Sequence, residues 1–403
     1  MARPVAKTVA KPVVKAPAKP RVHDAFVVSA PGLSELVAAE CTALGIAPRE
    51  VTPSGVSVSV DDAGLFALNA QLRIASRVIV RLAEFPARDF ATLEKQAARV
   101  AWGRVVAAGT SVRLRVTCRK SRLYHSDAVA ERVARGITGA VADVSVTTKA
   151  PADDDDEAGE TPSQLIVVRF DRDVCTISAD SSGELLYRRG WRQAVAKAPL
   201  RETLAAAMLA GMGWRGACAL VDPFGGSGTI GIEAALIARR MAPGLSRGFA
   251  MEQWPGADAA LFVGARAVLR AAVLPSAGVP IVVRDRDAGA VAAARANAER
   301  AGVAGDVVIE QEALSTLDLA AIAREGLLLT NPPYGLRVSD GADLRGLFAR
   351  LGDVLRAGGR GWQLGLFMPA DKALMGQLRV RTAQQLRSSN GGIEVGLFAS
   401  ARS

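Results

Sequence analysis

The spacing of apolar and polar residues divides the chain into two halves that differ in the predicted pattern of helices and strands. In the first half, residues 55–60 alternate with a period of two, which is typical of a half-buried strand, and residues 65–75 follow a helical period. Residues 26–28 and 78–82 are predicted to be further strands. This succession of short elements indicates a small α+β unit, whose bounds we predict at residues 24–65.

The α+β pattern continues to residue 180. We predict amphipathic helices at residues 90–102 and 127–138. We also predict an alternating strand with arginines on its polar face at 111–117 and a hairpin at 165–179. An acidic run at 153–157 predicts an exposed loop, because runs of like charge are usually solvated. We treat residues 66–180 as a second unit, followed by a linker at 181–199.

From residue 200 onward, strands alternate with helices of ten or more residues, which is typical of βαβ units and a parallel sheet. The strands are predicted at residues 217–221, 281–284, 307–310, 327–330 and 363–367, and a hairpin at 379–399. The predicted fold class is therefore α/β, with an N-terminal α+β region and a C-terminal doubly wound, Rossmann-like sheet over residues 200–403.

The charge of the chain is concentrated at its N-terminus. The formal net charge is +10, and residues 1–22 contribute six basic residues and no acidic one. Frequent prolines and little apolar surface predict a disordered basic tail over residues 1–23. This tail is either a solvated segment or an arm with nonspecific affinity for nucleic acid, and its prolines argue against a transit peptide.

Several classes of protein are disfavoured by composition. No apolar run reaches the about 20 residues that span a membrane, and the chain has only two histidines and four widely spaced cysteines. A zinc site, a disulfide framework and a hydrolase built on a histidine base are therefore disfavoured. We expect a reduced, cytoplasmic protein without a metal and without a membrane segment.

The first strand of the second half leads into a glycine-rich loop, Asp-Pro-Phe-Gly-Gly-Ser-Gly, at residues 222–228. Ligands of doubly wound sheets bind at the carboxyl ends of the strands, and glycines let the backbone and the next helix N-terminus approach them. The loop is neither a Walker loop nor a GxGxxG fingerprint, and alone it could be a tight turn. The candidate cofactor-binding residues here are Asp222, Phe224, Gly225, Gly226 and Gly228.

Carboxylates follow the next two strands. Asp285 is placed to accept hydrogen bonds from ribose hydroxyls, and we include its neighbour Arg286 in the cofactor set. Asp287 is better explained as the N-cap of the following helix. Glu312 could accept a hydrogen bond from an adenine amino group, although exposed acids in loops are common.

The fourth strand ends in Asn331-Pro332-Pro333-Tyr334. The two prolines stiffen the turn and leave the Asn331 amide oxygen and the Pro332 carbonyl as acceptors in a fixed geometry. Such acceptors suit the amino group of a nucleobase, and Tyr334 can stack on that base. The alternative is a proline-rich loop with a packed tyrosine.

These motifs resemble those of class I S-adenosylmethionine-dependent methyltransferases that methylate amino groups. Further segments are similar to THUMP-containing RNA guanine-N2 methyltransferases, at residues 68–78, 182–192, 198–207 and 389–391. The resemblance implies a ferredoxin-like unit at 24–65, a THUMP domain at 66–180 that binds structured RNA, and a catalytic domain at 200–403.

The resemblance also implies roles for the site residues. Asp222, Phe224, Gly225 and Gly228 would line the methionine part of S-adenosylmethionine, Asp285 would bind its ribose and Glu312 would lie near its adenine. Residues 331–334 would form the catalytic motif that holds the target base, and Asn331 would also belong to the cofactor-binding set. The chain departs from the family at two places. The usual glycine before the end of the ribose-binding strand is replaced, where the chain has the residues 282–285, and Glu312 stands where an aspartate is usual.

Basic and aromatic residues in the first half agree with RNA binding. They are Arg113, Arg115, Arg119, Lys120, Arg122, Tyr124 and His125. This set combines phosphate-binding charge with a stacking surface, while the alternative is a solvated strand face with a packed tyrosine.

The resemblance therefore implies a methyltransferase that acts on the N2 amino group of a guanine in 23S rRNA. Transfer RNA is the alternative substrate, and an adenine-N6 methyltransferase is the alternative enzyme, although no recognition insert interrupts the catalytic half. A noncatalytic RNA-binding factor is a third alternative, against which the complete cofactor loop and the residues at 331–334 argue.

Overall fold

The structure, a computed structural model, describes residues 21–148, 163–193, 200–334 and 344–401. It contains an eight-stranded sheet in the first half and a seven-stranded sheet in the second. Most of the predicted basic tail, the acidic run at 153–157 and linker residues 194–199 lie outside the described residues. In the part of the chain that is described, no helix is both long and apolar enough to cross a bilayer.

The N-terminal sheet begins with a compact set of short elements. They are β1 (His23–Val28), α1 (Ser34–Ala43), β2 (Pro48–Thr52), β3 (Gly55–Val60), α2 (Asp62–Gln71) and β4 (Arg77–Pro86). Strand β1 is central, since it pairs antiparallel with both β3 and β4. The predicted boundary between the first two units, at residue 65, falls inside helix α2, so this helix belongs to both predicted units.

The same sheet continues through the second unit. Its elements are α3 (Phe90–Ala97), β5 (Ser111–Arg119), α4 (Ser126–Ala140), β6 (Ser145–Thr147), β7 (Ser163–Asp171) and β8 (Val174–Asp180). The strand order is β2-β3-β1-β4-β8-β7-β5-β6, with β4 joining the first unit to the second. The predicted hairpin is confirmed as the antiparallel pair of β7 and β8.

The helix predicted over residues 90–102 is shorter than the sequence indicates. It ends at Ala97, and Trp102 begins a separate 3-10 turn. The fully buried Trp102 indole donates to the Ala97 carbonyl at 2.9 Å, which satisfies a carbonyl at the helix end. The aromatic side chain thus belongs to the core, although its backbone has left the helix.

The C-terminal half has the predicted alternation. Its elements are α5 (Glu202–Gly211), β9 (Ala219–Asp222), α6 (Thr229–Ala238), α7 (Ala259–Ala271), β10 (Ile281–Asp285), α8 (Ala288–Arg300), β11 (Val308–Gln311), α9 (Leu319–Ile322), β12 (Gly326–Thr330), α10 (Leu344–Ala357), β13 (Trp362–Met368), α11 (Lys372–Gln377), β14 (Thr382–Asn390) and β15 (Ile393–Ser400). The strand order is β11-β10-β9-β12-β13-β15-β14. The first five strands are parallel, and β15 and β14 are antiparallel additions, so the predicted fold class is confirmed.

Strand order reverses at β9, which lies between β10 and β12. In a doubly wound sheet this reversal opens a crevice at the carboxyl ends of the strands. The loop after β9 lies close over the sheet, because a Cβ at Gly225 would come within 2.2 Å of Val283 Cγ1. A glycine is therefore required there by close packing.

The two halves share a buried aromatic contact. The Phe66 ring of α2 stacks on Phe262 of α7 at 5.4 Å and meets Phe249 edge-on at 5.8 Å. The Arg266 guanidinium lies over the Phe66 ring at 5.0 Å from its centre. Helix α7 has no predicted counterpart in the sequence pattern, because Val263 and Val268 are exposed and obscure its single buried face.

We predict that Phe66→Ala lowers the free energy of unfolding by about 3–5 kcal/mol, since it leaves a cavity where the two halves meet. Urea unfolding followed by circular dichroism measures the change. The matched control is Val263→Ala on α7, whose side chain is 67% exposed and whose effect should stay within about 0.5 kcal/mol. Equal losses for the two variants would contradict this packing role.

Candidate active site

The predicted cofactor and base-binding residues surround one cavity of about 1010 Å³ at the carboxyl ends of β9, β10 and β12. The lining includes Asp222, Phe224, Gly225, Gly226, Asp285, Arg286, Glu312, Asn331, Pro332, Pro333 and Tyr334. Gly228 does not line it but forms the N-cap of α6, with φ of +85°. Two motifs separated by about a hundred residues therefore face the same space.

The glycine-rich loop is held by the carboxylate of Asp285. The backbone N–H of Gly226 donates to one oxygen at 2.9 Å, and the N–H of Asp287 donates to the other at 2.9 Å. Asp287 caps α8 by accepting from Ala290 N, which confirms its predicted N-cap role. A Cβ at Gly226 would meet no atom within 4 Å, so this part of the loop faces open space in which a ligand can lie.

Asp222 lies beneath the loop and is almost fully buried. Its Oδ1 accepts from the Thr330 hydroxyl at 2.7 Å and from Phe224 N at 3.2 Å. Burial raises the pKa of Asp222 to about 7, although these two hydrogen bonds lower it. The carboxyl therefore changes its charge near neutral pH.

Glu312 at the cavity wall is held by an arginine of the neighbouring strand. Arg284 Nη1 lies 3.2 Å from Glu312 Oε2, and Arg284 Nε donates to Glu310 at 2.8 Å. The Thr316 hydroxyl also donates to Glu312 at 2.7 Å. Arg284 and Thr316 together fix the direction of the Glu312 carboxylate at the cavity wall.

The loop after β12 presents an unsatisfied acceptor. Among the described residues, the buried Asn331 Oδ1 has no hydrogen-bond partner. A buried acceptor without a partner costs about 1–3 kcal/mol, and a ligand that donates a hydrogen bond removes this cost. Pro332 is buried, and the half-buried Tyr334 follows it at the cavity wall. This group fits a ligand that carries N–H donors and a flat ring.

Asn390 is a cavity residue that belongs to the family-like segment at 389–391, but the resemblance assigns it no role. It ends β14, is 7% exposed and donates from Nδ2 to the Tyr334 hydroxyl at 3.3 Å. The two glycines that follow it were the available signal, because an Asn-Gly-Gly sequence indicates a hairpin turn. Its contact with the loop after β12 depends on tertiary structure.

The basic residues of the first half separate into two groups. Arg119, Lys120, Arg122, Tyr124 and His125 are exposed and form what we term the basic aromatic patch. The Tyr124 side chain is 67% exposed and its ring lies 4.0 Å from that of His125, so the alternative of a packed tyrosine is wrong. Arg113 and Arg115 are half-buried in β5 instead, and burial lowers the pKa of Arg113.

Comparison with known families agrees with this geometry. Residues 189–397 match the RMKL-like methyltransferase domain. The chain belongs to this methyltransferase family. Residues 24–79 match the RlmL ferredoxin-like domain, so a ferredoxin-like N-terminal unit is confirmed, with a match that extends beyond the predicted boundary at residue 65.

Individual relatives cover most of the chain. It is 31% identical over 369 residues to slr0064 of Synechocystis, provisionally named an RNA methyltransferase, and the match covers 91% of this chain and 94% of that protein. It is 36% identical over 392 residues to the ribosomal RNA large subunit methyltransferase K/L of Syntrophotalea carbinolica. That match covers 93% of this chain and 53% of the relative, so the chain spans about half the length of the K/L enzyme.

A solved structure adds the cofactor. The solved structure of SMU.472, a protein provisionally named a methyltransferase, contains SAH, which is what S-adenosylmethionine becomes after methyl transfer. It matches this chain with a TM-score of 0.82 and 26% identity, and the match covers 96% of this chain and 99% of that one. S-adenosylmethionine is the cofactor of this methyltransferase fold, which confirms the prediction. Within the described residues, no group of three or more metal-ligating side chains could hold a metal ion.

We predict that Asp222→Asn makes the stability of the protein less dependent on pH. The folded Asp222 keeps a proton up to about pH 7, whereas an unfolded aspartate releases it near about pH 4. Wild-type stability should therefore fall as pH rises through this window, by up to about 1.4 kcal/mol per pH unit.

Asparagine keeps the acceptor for Thr330 and Phe224 and removes the titration. Urea unfolding of the cofactor-free protein at pH 5 and pH 7 should show the variant gaining stability relative to wild type as pH rises. A difference that is the same at both pH values would contradict this assignment.

Proposed function

We propose that the chain is an RNA methyltransferase that moves a methyl group from S-adenosylmethionine to the exocyclic N2 amino group of a guanine in 23S rRNA. The observation that carries this proposal is the unsatisfied Asn331 Oδ1, which lies in one cavity with the glycine-rich loop and Tyr334. The K/L relatives are named for large-subunit ribosomal RNA, which supports this substrate class.

The cofactor-binding residues form three groups, one for each part of S-adenosylmethionine. In our proposal Asp222, Phe224, Gly225 and Gly226 hold the methionine part, with Gly228 starting the helix behind it. The hydrogen bonds that Asp285 accepts from Gly226 and Asp287 leave lone pairs for ribose hydroxyls. Glu312 and Arg286 line the adenine end.

The catalytic loop acts by holding and orienting the target base. Asn331 Oδ1 and the Pro332 carbonyl accept the two hydrogens of the amino group, and this aims its nitrogen lone pair away from the loop. The bound cofactor supplies a methyl group on a positively charged sulfur, which is a strong electrophile. Transfer to the held nitrogen would break the S–C bond as the N–C bond forms, and the proton that the nitrogen then releases would pass to water. Positioning therefore accounts for most of the catalysis.

Substrate binding falls to the N-terminal half in this proposal. Residues 66–180 act as a THUMP domain, and the basic aromatic patch binds structured RNA through phosphate contacts and base stacking. Five exposed residues of these types within seven positions support this role. Arg113 and Arg115 contribute less, because they are half-buried in the sheet.

We predict that Asn331→Ala lowers kcat by about 100- to 1000-fold, the usual effect of removing one preorganised hydrogen-bonding group. The dissociation constant of S-adenosylmethionine, measured by calorimetry, should change less than about threefold, because Asn331 holds the base in this proposal. Asn331→Asp keeps an acceptor and is the matched control, with a smaller loss expected. A near-normal rate for Asn331→Ala would contradict the role of Asn331.

We predict that the basic aromatic patch supplies both stacking and charge. Tyr124→Ala should weaken RNA binding by about 1–3 kcal/mol at all salt concentrations. Lys120→Ala and Arg122→Ala should each reduce the slope of log K against log salt by about one. Lys372→Ala, an exposed lysine on α11, is the control. Unchanged slopes for the patch variants would exclude the patch from the RNA interface.

The substrate is identified by mass spectrometry of nucleosides from ribosomal and transfer RNA of cells with and without the gene. Loss of N2-methylguanosine from large-subunit ribosomal RNA is the expected result. Its loss from transfer RNA would show that the substrate is transfer RNA and not ribosomal RNA. Loss of N6-methyladenosine would show that the target base is adenine and not guanine. No change in either RNA pool, together with no cofactor binding, would favour a noncatalytic RNA-binding protein.

A further inference from the structure

The hairpin of β14 and β15 places one amide side chain beside the catalytic loop. Asn390 and Ile393 pair at the end of this hairpin, and Gly391 and Gly392 between them have φ of +57° and +78°. Positive φ at both central residues is the geometry of a type I′ turn, which holds the flanking strands in register. The backbone position of Asn390 is therefore fixed by strand pairing and by the turn.

The side chain of Asn390 points at Tyr334. It lines the cavity, is 7% exposed, and donates from Nδ2 to the Tyr334 hydroxyl at 3.3 Å. A buried amide is costly unless its polar atoms are used, so this contact satisfies one of its donors. Tyr334 lies in the loop after β12, three residues after Asn331, whereas Asn390 ends β14. Strands β13 and β15 lie between β12 and β14 in the sheet, so the hydrogen bond from Asn390 to Tyr334 links two distant strand ends.

The contact limits how the Tyr334 ring can turn. The Tyr334 hydroxyl oxygen lies on the axis of rotation about Cβ–Cγ. A hydrogen bond to it therefore restricts rotation about Cα–Cβ, which sets the direction of the ring axis. A ring that stacks on a flat base must lie parallel to it, so a small tilt reduces overlap with the base and displaces the reacting nitrogen.

We propose that Asn390 is a positioning residue, whose amide fixes the direction of the Tyr334 ring axis and so the place at which the ring stacks on the target base. The stacking partner rests on the proposed function, whereas the link between Asn390 and Tyr334 does not. Asn390 thereby affects methyl transfer through Tyr334, without contact with the reacting atoms.

The link itself is tested by NMR without any substrate. The chain has three tyrosines, so ring-labelled tyrosine gives a simple spectrum in which Tyr334→Phe identifies the Tyr334 signal. Asn390→Ala should shift that signal and leave those of Tyr124 and Tyr187 in place. Glu394→Gln, an exposed change on the same hairpin, is the control and should shift none of them. An unmoved Tyr334 signal in Asn390→Ala overturns the proposal, whichever RNA the protein acts on.

The effect on catalysis is tested by a double-mutant cycle on the RNA that the wild type methylates. Asn390→Ala and Tyr334→Phe should each lower kcat/KM about tenfold, the value of one hydrogen bond, with cofactor affinity unchanged. The double variant should be no worse than either single variant, because both remove the same bond. Additive losses overturn the positioning role. If the wild type methylates no RNA, the proposed function fails, and the NMR result alone decides the link between Asn390 and Tyr334.

Discussion

A buried hydrogen bond between Thr330 and Asp222 joins the two strands on which the site depends. Asp222 ends β9 and begins the glycine-rich loop, while Thr330 ends β12 and directly precedes Asn331. The bond is 2.7 Å long, and both residues are almost fully buried. A bond between neutral partners of this kind is worth about 1 kcal/mol, and one to a charged partner about twice that. It fixes the distance between the proposed methyl donor and the proposed acceptor, where small displacements have large effects on rate.

The N-terminal half is connected to the same site through helix α6. Its Glu233 is fully buried and pairs with Arg189 at 3.3 Å and with Arg73 at 3.8 Å. Arg189 belongs to the linker and Arg73 to the N-terminal half, so both meet the helix that follows the glycine-rich loop. Removing one member of such a cluster leaves a buried charge without compensation, which costs about 3–5 kcal/mol. The cluster therefore strongly favours one arrangement of the two halves, and this arrangement sets where bound RNA lies relative to the cavity.

The sequence pattern predicts the central strands well, because their physics is local. Buried parallel strands are short, nearly continuous apolar runs, and β10 and β12 fall within one residue of their predicted bounds. The two site motifs are also local, and the rule that ligands bind at strand ends brings them together. Contacts between distant segments leave no such periodic signal. Three features depend on such tertiary contacts. They are the hydrogen bond between Asn390 and Tyr334, the exposed helix α7 and the half-buried position of Arg113.

The pairing of Arg284 with Glu312 shows how a carboxylate at the cavity wall is held in one direction. Arg284 lies on β10 and contacts the carboxylates of Glu310 and Glu312. The Glu312 side chain is 40% exposed, and such a pair adds little to stability. Its consequence is geometric, because the guanidinium and the Thr316 hydroxyl both contact Oε2 of Glu312 and leave Oε1 without a contact from either of them. In the proposed assignment this carboxylate accepts the adenine amino group, so Arg284 orients the group that recognises the adenine without contacting the adenine itself.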